Sequence, residues 1–252
     1  MSFNKCSLCV WCWLALVYIM IAFARPLPAE TLIMAVGLAL PPYVIKEGDK
    51  GMELDVVREI LEKQGYTIHP VYLPLARVVE HMADGTVDAA LTVNEAAGLN
   101  NAFFSDSHIT YQNSVISLAK HNFQIESVND LADKSVMAFQ YAKIYLGAEF
   151  AAMANNNGQY SEKARQSTQI RMLFAGRVEA IVLDTNIFRF YRNSEKKYVD
   201  TSQPITTHNI FPPSHYRVAF KNKTARDEFN KGLEALKRSG RYDEIIRQYI
   251  QP

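Results

Sequence analysis

The stretch Gly85-Thr86-Val87-Asp88-Ala89-Ala90-Leu91 returns later in the chain as Gly176-Arg177-Val178-Glu179-Ala180-Ile181-Val182. In each copy a glycine closes a helical stretch, a valine and an acid follow, and a short apolar run opens with the length and composition of a buried strand. A second pair, Ile33-Met34-Ala35-Val36 and Val136-Met137-Ala138-Phe139, precedes the two copies in the same order. The two offsets are 91 and 103 residues, so this is not a tandem array of fixed period. Repetition of the same order in the same setting predicts two similar α/β lobes.

Working outward, the pattern alternates strand and helix. Thr31–Val36 reads as an apolar strand ending at Gly37 and the turn-forming Pro41-Pro42. A helix is expected over about Leu54–Gln64, with Leu54, Val57 and Leu61 on one face, a Glu59/Lys63 pair outside and Gly65 as its cap. Thr67–Val71 is a strand, Pro74 starts a helix that Gly85 closes, and Val87–Thr92 is a strand again. Such alternation predicts parallel sheets. Near the end, Tyr216–Phe220 reads as a strand. Thr224 with Asp227 resembles a capping box for a helix to about Lys237, and a last helix spans about Tyr242 to Tyr249. The expected division is lobe one at 30–115 plus 209–252 and lobe two at 116–208. The hinges are then near Ser117–Lys120 and Ile205–Asn209.

The N-terminus is read separately. Lys5 precedes an uncharged apolar stretch from Cys6 to Ala24, ending in the small-x-small pattern Ala22-Phe23-Ala24, with a second possible cut after Ala29. Helix-breaking Pro26 and Pro28 follow, so residues 1–29 read as a cleaved secretory signal peptide rather than an anchor helix. No cysteine follows a lipobox-like triplet. Cleavage removes Cys6, Cys9, Cys12, Trp11 and Trp13, so the exported protein has neither thiol nor tryptophan. Disulfides, cysteine-ligated zinc and cysteine nucleophiles are thereby excluded for it.

The 252 residues include 27 Lys+Arg against 26 Asp+Glu, with 48% hydrophobic residues. These values fit a globular chain with an ordinary core and argue against disorder. No concentrated basic run points to nucleic acid. Phosphate-binding glycine loops, His-x-x-x-His pairs and G-x-S-x-G elbows are absent from the sequence. No cofactor and no metal are expected.

Several motifs, taken in order, resemble the bacterial extracellular solute-binding proteins of family 3. They are Pro41-Pro42-Tyr43, Gly51-x-x-x-Asp55, Met82-x-x-Gly85-x-x-Asp88-Ala89 and Phe104-Ser105. In the second half they are Leu173-x-x-Gly176-Arg177-Val178-Glu179-Ala180 with Asp184, and Leu236-Lys237-x-x-Gly240-x-Tyr242 with Ile245 and Tyr249. The resemblance implies a type II periplasmic binding fold, two lobes closing on a small polar solute. It implies a periplasmic, monomeric solute-binding protein that delivers an amino-acid-like or cationic solute to an ABC-transporter permease. A soluble ligand-sensing subunit for a membrane sensor kinase is an alternative. Another is an enzyme of the cyclohexadienyl dehydratase type, with Glu95 or Asp184 as general acid; the protein is read as a non-enzyme.

Ligands in open α/β sheets lie beyond the carboxyl ends of strands. The candidate ligand-binding residues there are Tyr43, Thr92, Asn94, Gln140, Tyr141 and Asp184. Four of them have a plainer structural reading: Tyr43 as a packed loop aromatic, Thr92 and Asn94 as turn residues, Asp184 as a helix N-cap. The resemblance implies a carboxylate-gripping Arg shortly after the third strand, but this stretch is Thr92-Val93-Asn94-Glu95-Ala96-Ala97-Gly98. No Lys or Arg occurs between Arg77 and Lys120. Arg77, one turn into the Pro74 helix, is the substitute candidate, against a plain reading as a solvated Arg paired with Glu80 or His81. With no other cation in that loop, weak binding of common α-amino acids is expected, with Asp184 facing a cationic solute.

Overall fold

In the computed structural model, which describes residues 29–38 and 40–250, the two copies of the opening motif lie in two separate sheets. The expected signal segment lies almost wholly outside the described residues. Lobe one begins with β1 (Glu30–Gly37), α1 (Met52–Lys63), β2 (Tyr66–Leu73), α2 (Leu75–Ala83) and β3 (Ala89–Val93). Short strands β4 (Phe103–Phe104) and β5 (Ile109–Tyr111) follow. Lobe two contains β6 (Asn113–Leu118), β7 (Val136–Phe139), α3 (Ala142–Tyr145), α4 (Ala148–Asn156) and β8 (Tyr160–Lys163). It continues with α5 (Ser167–Phe174), β9 (Ala180–Asp184), α6 (Thr185–Ser194) and β10 (Ile205–His208). The chain then returns to lobe one as β11 (Ser214–Phe220), α7 (Lys223–Arg238) and α8 (Arg241–Arg247).

The first sheet has the order β2-β1-β3-β11-β4, with β5 also on β11; the second has β10-β6-β9-β7-β8. Read from its other edge, β8-β7-β9-β6 reproduces β2-β1-β3-β11. The inner pairs are parallel, and the strand that crosses from the other half of the chain is antiparallel in both. The repeated acid has a job in each copy. Asp88 Oδ2 accepts from the backbone N–H of Ile33 (2.9 Å), and Glu179 Oε2 accepts from that of Ser135 (2.8 Å). Each carboxylate thus ties the start of one strand to the neighbouring one, a charge-assisted bond.

The α1 face expected to be apolar is buried, at Leu54, Val57 and Leu61, joined by Met52, Val56 and Ile60. Each such side chain contributes about 1.5–3 kcal/mol through burial. The helix starts at Met52, two residues earlier than the apolar period suggests, because Gly51 can turn the chain there. Its φ is 136°, and a Cβ would lie 2.3 Å from the Tyr43 carbonyl oxygen. At the other end, Asn222 rather than Thr224 caps α7, accepting from the Thr224 N–H at 2.7 Å. The side-chain oxygen two residues before the donor wins because it reaches the second helical N–H.

The first expected boundary needs correction. Asn113, Ser114 and Val115 pair with β9 opposite Asp184, Leu183 and Val182, so β6 belongs to lobe two from its first residue. The crossing is at Gln112, not at Ser117–Lys120, which lies inside or beyond β6. Likewise Ile205–His208 pairs along β6, and the return crossing is the segment between β10 and β11. Turn-like composition does not reveal which sheet a strand joins; the ladder hydrogen bonds do.

Candidate functional site

The two crossings are tied to each other. Gln112 donates from Nε2 to the Phe211 carbonyl (3.0 Å), and its backbone N–H donates to Asp184 Oδ2 (2.8 Å). Beside them a buried polar chain links the lobes. Glu53, carried on the inner face of α1, is fully buried. Its Oε1 accepts from Thr92 Oγ1 and His108 Nε2, each at 2.9 Å, and its Oε2 accepts from the Tyr111 hydroxyl at 2.7 Å. The Tyr111 ring stacks on Tyr43 with centroids 3.7 Å apart. Tyr43 in turn donates to Asp184 Oδ2 (3.0 Å) and accepts from Asn186 Nδ2 (3.1 Å), both on lobe two.

Asp184 ends β9 and caps α6. Its Oδ1 accepts from the N–H groups of Asn186 (2.8 Å) and Ile187 (3.0 Å). Burial dominates its acidity and raises the carboxyl to about 6, against the lowering effect of its donors. The Tyr43 hydroxyl is pushed up as well, first by burial and then by the neighbouring Asp184 charge.

Between the lobes lies a cleft of about 620 Å³. Lobe one contributes the loop after β1 (Leu38, Leu40, Lys46, Glu47) and the start of α2 (Pro74, Leu75). Lobe two contributes Phe139-Gln140 after β7, Ala164–Ser167 ahead of α5, and Tyr191 on α6. Leu40, Leu75, Phe139 and Gln166 also border a second recess of about 20 Å³, walled by Thr92, Asn113 and Asp184. That is room for about one water. The wide part therefore carries charge and the narrow part carries hydroxyl, amide and carboxyl groups, separated by an apolar waist.

The expected site residues fall in different places. Gln140 borders the wide cleft, and its Oε1 accepts from the Ala76 N–H across it, at 3.4 Å. Thr92 and Asp184 border the narrow recess, but the Thr92 hydroxyl is spent on Glu53 and both Asp184 oxygens are spent on protein donors. Tyr43 is buried behind the recess as a link between lobes. Asn94 caps a short 3-10 turn at Glu95–Ala97 by accepting from the Ala96 N–H. Tyr141 leads into α3 with a φ of 70°, its N–H bonded to Glu162. Arg77 lies exposed on α2 and pairs with Glu80 at 2.7 Å, so its plainer reading describes its place in the structure. Glu95, one candidate acid, is exposed and 2.8 Å from Arg217.

Sequence reasoning missed Lys46, Glu47, Phe139, Arg165, Ser167 and Tyr191. One signal was available for Arg165. By the sheet correspondence above, the loop from β8 into α5 is lobe two's counterpart of the Pro74 loop in lobe one. Among the described residues no group of His, Cys, Asp and Glu is arranged to hold a metal ion, and no helix is long and apolar enough to cross a membrane.

This architecture recurs in known proteins. A protein of Campylobacter jejuni subsp. jejuni serotype O:2 named "Probable histidine-binding protein" is 24% identical over 227 residues, covering 87% of this chain and 85% of its own. Among solved structures, an ancestral arginine-binding protein bound to arginine superposes with a TM-score of 0.73 at 21% identity. It covers 89% of this chain and 100% of its own. The ancestral amino acid-binding protein AncCDT-1, a precursor of cyclohexadienyl dehydratase, gives a TM-score of 0.68 at 16% identity, covering 94% and 100%. The family profile described as bacterial extracellular solute-binding proteins, family 3, matches residues 32–252, and its members are typically periplasmic or extracellular. With that match spanning nearly all of the two lobes and the cleft between them, the chain belongs to the bacterial extracellular solute-binding proteins of family 3.

Proposed function

We propose that this protein captures a small amino-acid-like solute in its interlobe cleft in the periplasm and presents the closed form to an ABC-transporter permease. In this reading residues 1–29 direct export and are removed. The observation that carries it is the cleft of about 620 Å³ lined from both lobes, a volume in the range of small-molecule sites. A relative named a probable histidine-binding protein and an ancestral arginine-binding protein bound to arginine support an amino-acid-like ligand.

Binding without turnover is favoured by the state of the buried acids. A general acid needs a proton aimed at the substrate. Glu53 does not border the cleft, and the Asp184 oxygens face the Gln112, Tyr43, Asn186 and Ile187 donors. The test is a thermal-shift panel of amino acids, polyamines, organic acids and prephenate on protein secreted from the full chain. A bound solute at about 100 times its dissociation constant adds about 2.7 kcal/mol, readily seen in a melting curve. The reading predicts a shift with an amino-acid-like compound, contraction in solution scattering and no product. Turnover of prephenate would replace it with the enzymatic alternative.

A further inference from the structure

We propose that Arg165, from lobe two, grips a carboxylate of the solute, with Ser167 beside it; this rests on the interlobe cleft being the binding site. In lobe one, the arginines on α2 and opposite the end of β3 are both paired. Arg77 is paired with Glu80 on the outside of α2. Arg217, which β11 brings opposite Val93, lies against Glu95 and donates from Nη1 to the Ser105 carbonyl at 2.7 Å. The loop after β3 is thus electrically closed.

Lobe two differs. Arg165 borders the wide cleft and forms no ion pair with any described residue. Ser167 is 6% exposed, borders the same space, and its hydroxyl makes no hydrogen bond among the described residues. A hydroxyl without a protein partner at a cleft wall is an open donor for a ligand oxygen. Both residues stand at the start of α5, where helix N–H groups favour an anion. Lys46 faces them from lobe one without an ion pair, and Glu47 is the one acid bordering this space, both among the described residues. Tyr191 lies near both Glu47 and Arg165.

The narrow recess excludes the opposite arrangement. It holds about 20 Å³ and is walled by the Asp184 carboxyl, which would repel an anion there. The carboxylate therefore stays in the wide part, and the apolar stem of the solute rests on Leu40, Leu75 and Phe139 at the waist. The solute class is a carboxylic acid with an apolar stem. Its guanidinium-carboxylate contact is one that Lys reproduces only as a point charge.

The experiment compares matched pairs that differ only by the carboxylate, arginine with agmatine and histidine with histamine, by calorimetry on protein from the full chain. Wild type, Arg165→Ala, Arg165→Lys, Ser167→Ala and Arg77→Ala are compared. Arg165 is exposed, so its variants keep the unliganded melting temperature. The expected result is that an acid binds at least about tenfold more tightly than its amine. Arg165→Ala weakens it by about ten- to a hundredfold, Arg165→Lys recovers part of this, and Arg77→Ala changes nothing. Amines binding as well as acids, or Arg165→Ala leaving affinity unchanged, overturns the clamp while the cleft remains the binding site. If neither acids nor amines bind, the clamp and the amino-acid-like reading fall together.

Discussion

The two lobes share a sheet and differ in where they keep their charge. Lobe one places one acid, Glu53, in a fully buried position and surrounds it with Thr92, His108 and Tyr111. Lobe two keeps Arg165 at the cleft wall, without an ion pair to any described residue. The strand order, the parallel pairs and the acid after each glycine and valine agree between them. The repeated part of the molecule is therefore scaffold. What separates the lobes lies in loops and helix faces that the repeat does not cover, where function concentrates in folds of this kind.

The comparison is tested most strongly at Glu53. Replacement by Ala leaves Thr92, His108 and Tyr111 as buried groups without their acceptor, and an expected loss of about 3–5 kcal/mol in urea unfolding. A loss below about 1 kcal/mol would mean that lobe one does not depend on its buried acid and that the contrast is superficial.

Asp184 tests the link between lobes. Its carboxyl titrates near 6 in the folded protein, above the ordinary 3.8, chiefly because it is buried. The folded form thus holds the proton more tightly than the unfolded chain. Asp184's contribution to stability is greatest below about pH 4, falls as pH rises through 6 and is level above, a span of up to about 3 kcal/mol. Asp184→Asn has no such titration, so the stability difference between wild type and variant should change across this window. Parallel curves from pH 4 to about pH 7 would show that Asp184 titrates normally.

Tyr43→Phe sharpens the same point with a smaller effect. It removes one hydroxyl between Asp184 and Asn186 and should cost about 1–2 kcal/mol. Because the Tyr43 bond favours the ionised Asp184 carboxylate and so lowers its pKa, its loss should move the Asp184 midpoint further up. A midpoint that stays in place would disconnect the tyrosine from the aspartate. Smallest of all, Arg77→Ala should cost less than about 0.5 kcal/mol, since the Glu80 pair is an exposed one. A larger loss in chemical unfolding would return Arg77 to a structural role.

Much of the fold was legible because local patterns carry it. A buried strand must be apolar, a helix must be apolar on one face, and the glycine that ends a helix often takes a positive φ, as Gly65, Gly85 and Gly176 do. Those constraints act over a few residues, so they survive in one dimension. The crossing at Gln112 was not legible, because strand membership depends on hydrogen bonds from Asn113 to Asp184, 71 positions away. The partners of Tyr43 were equally hidden, since its ring stacks on Tyr111 and its hydroxyl partners are on the other lobe.

By itself, then, the sequence determined two α/β lobes, the repeated strand pair and the family resemblance, all consequences of periodicity and short motifs. It also identified the residues at the strand ends, Thr92, Gln140 and Asp184 among them. Only the tertiary structure decided which of those border the cleft with polar atoms left open. An aspartate reads the same in sequence whether its oxygens are open or already hold four donors, as those of Asp184 do. An arginine reads the same whether Glu80 neutralises it, as for Arg77, or whether it stands unpaired at a cleft wall, as for Arg165. Chemical type is local, but availability depends on neighbours brought from elsewhere in the chain, and folding alone assigns those.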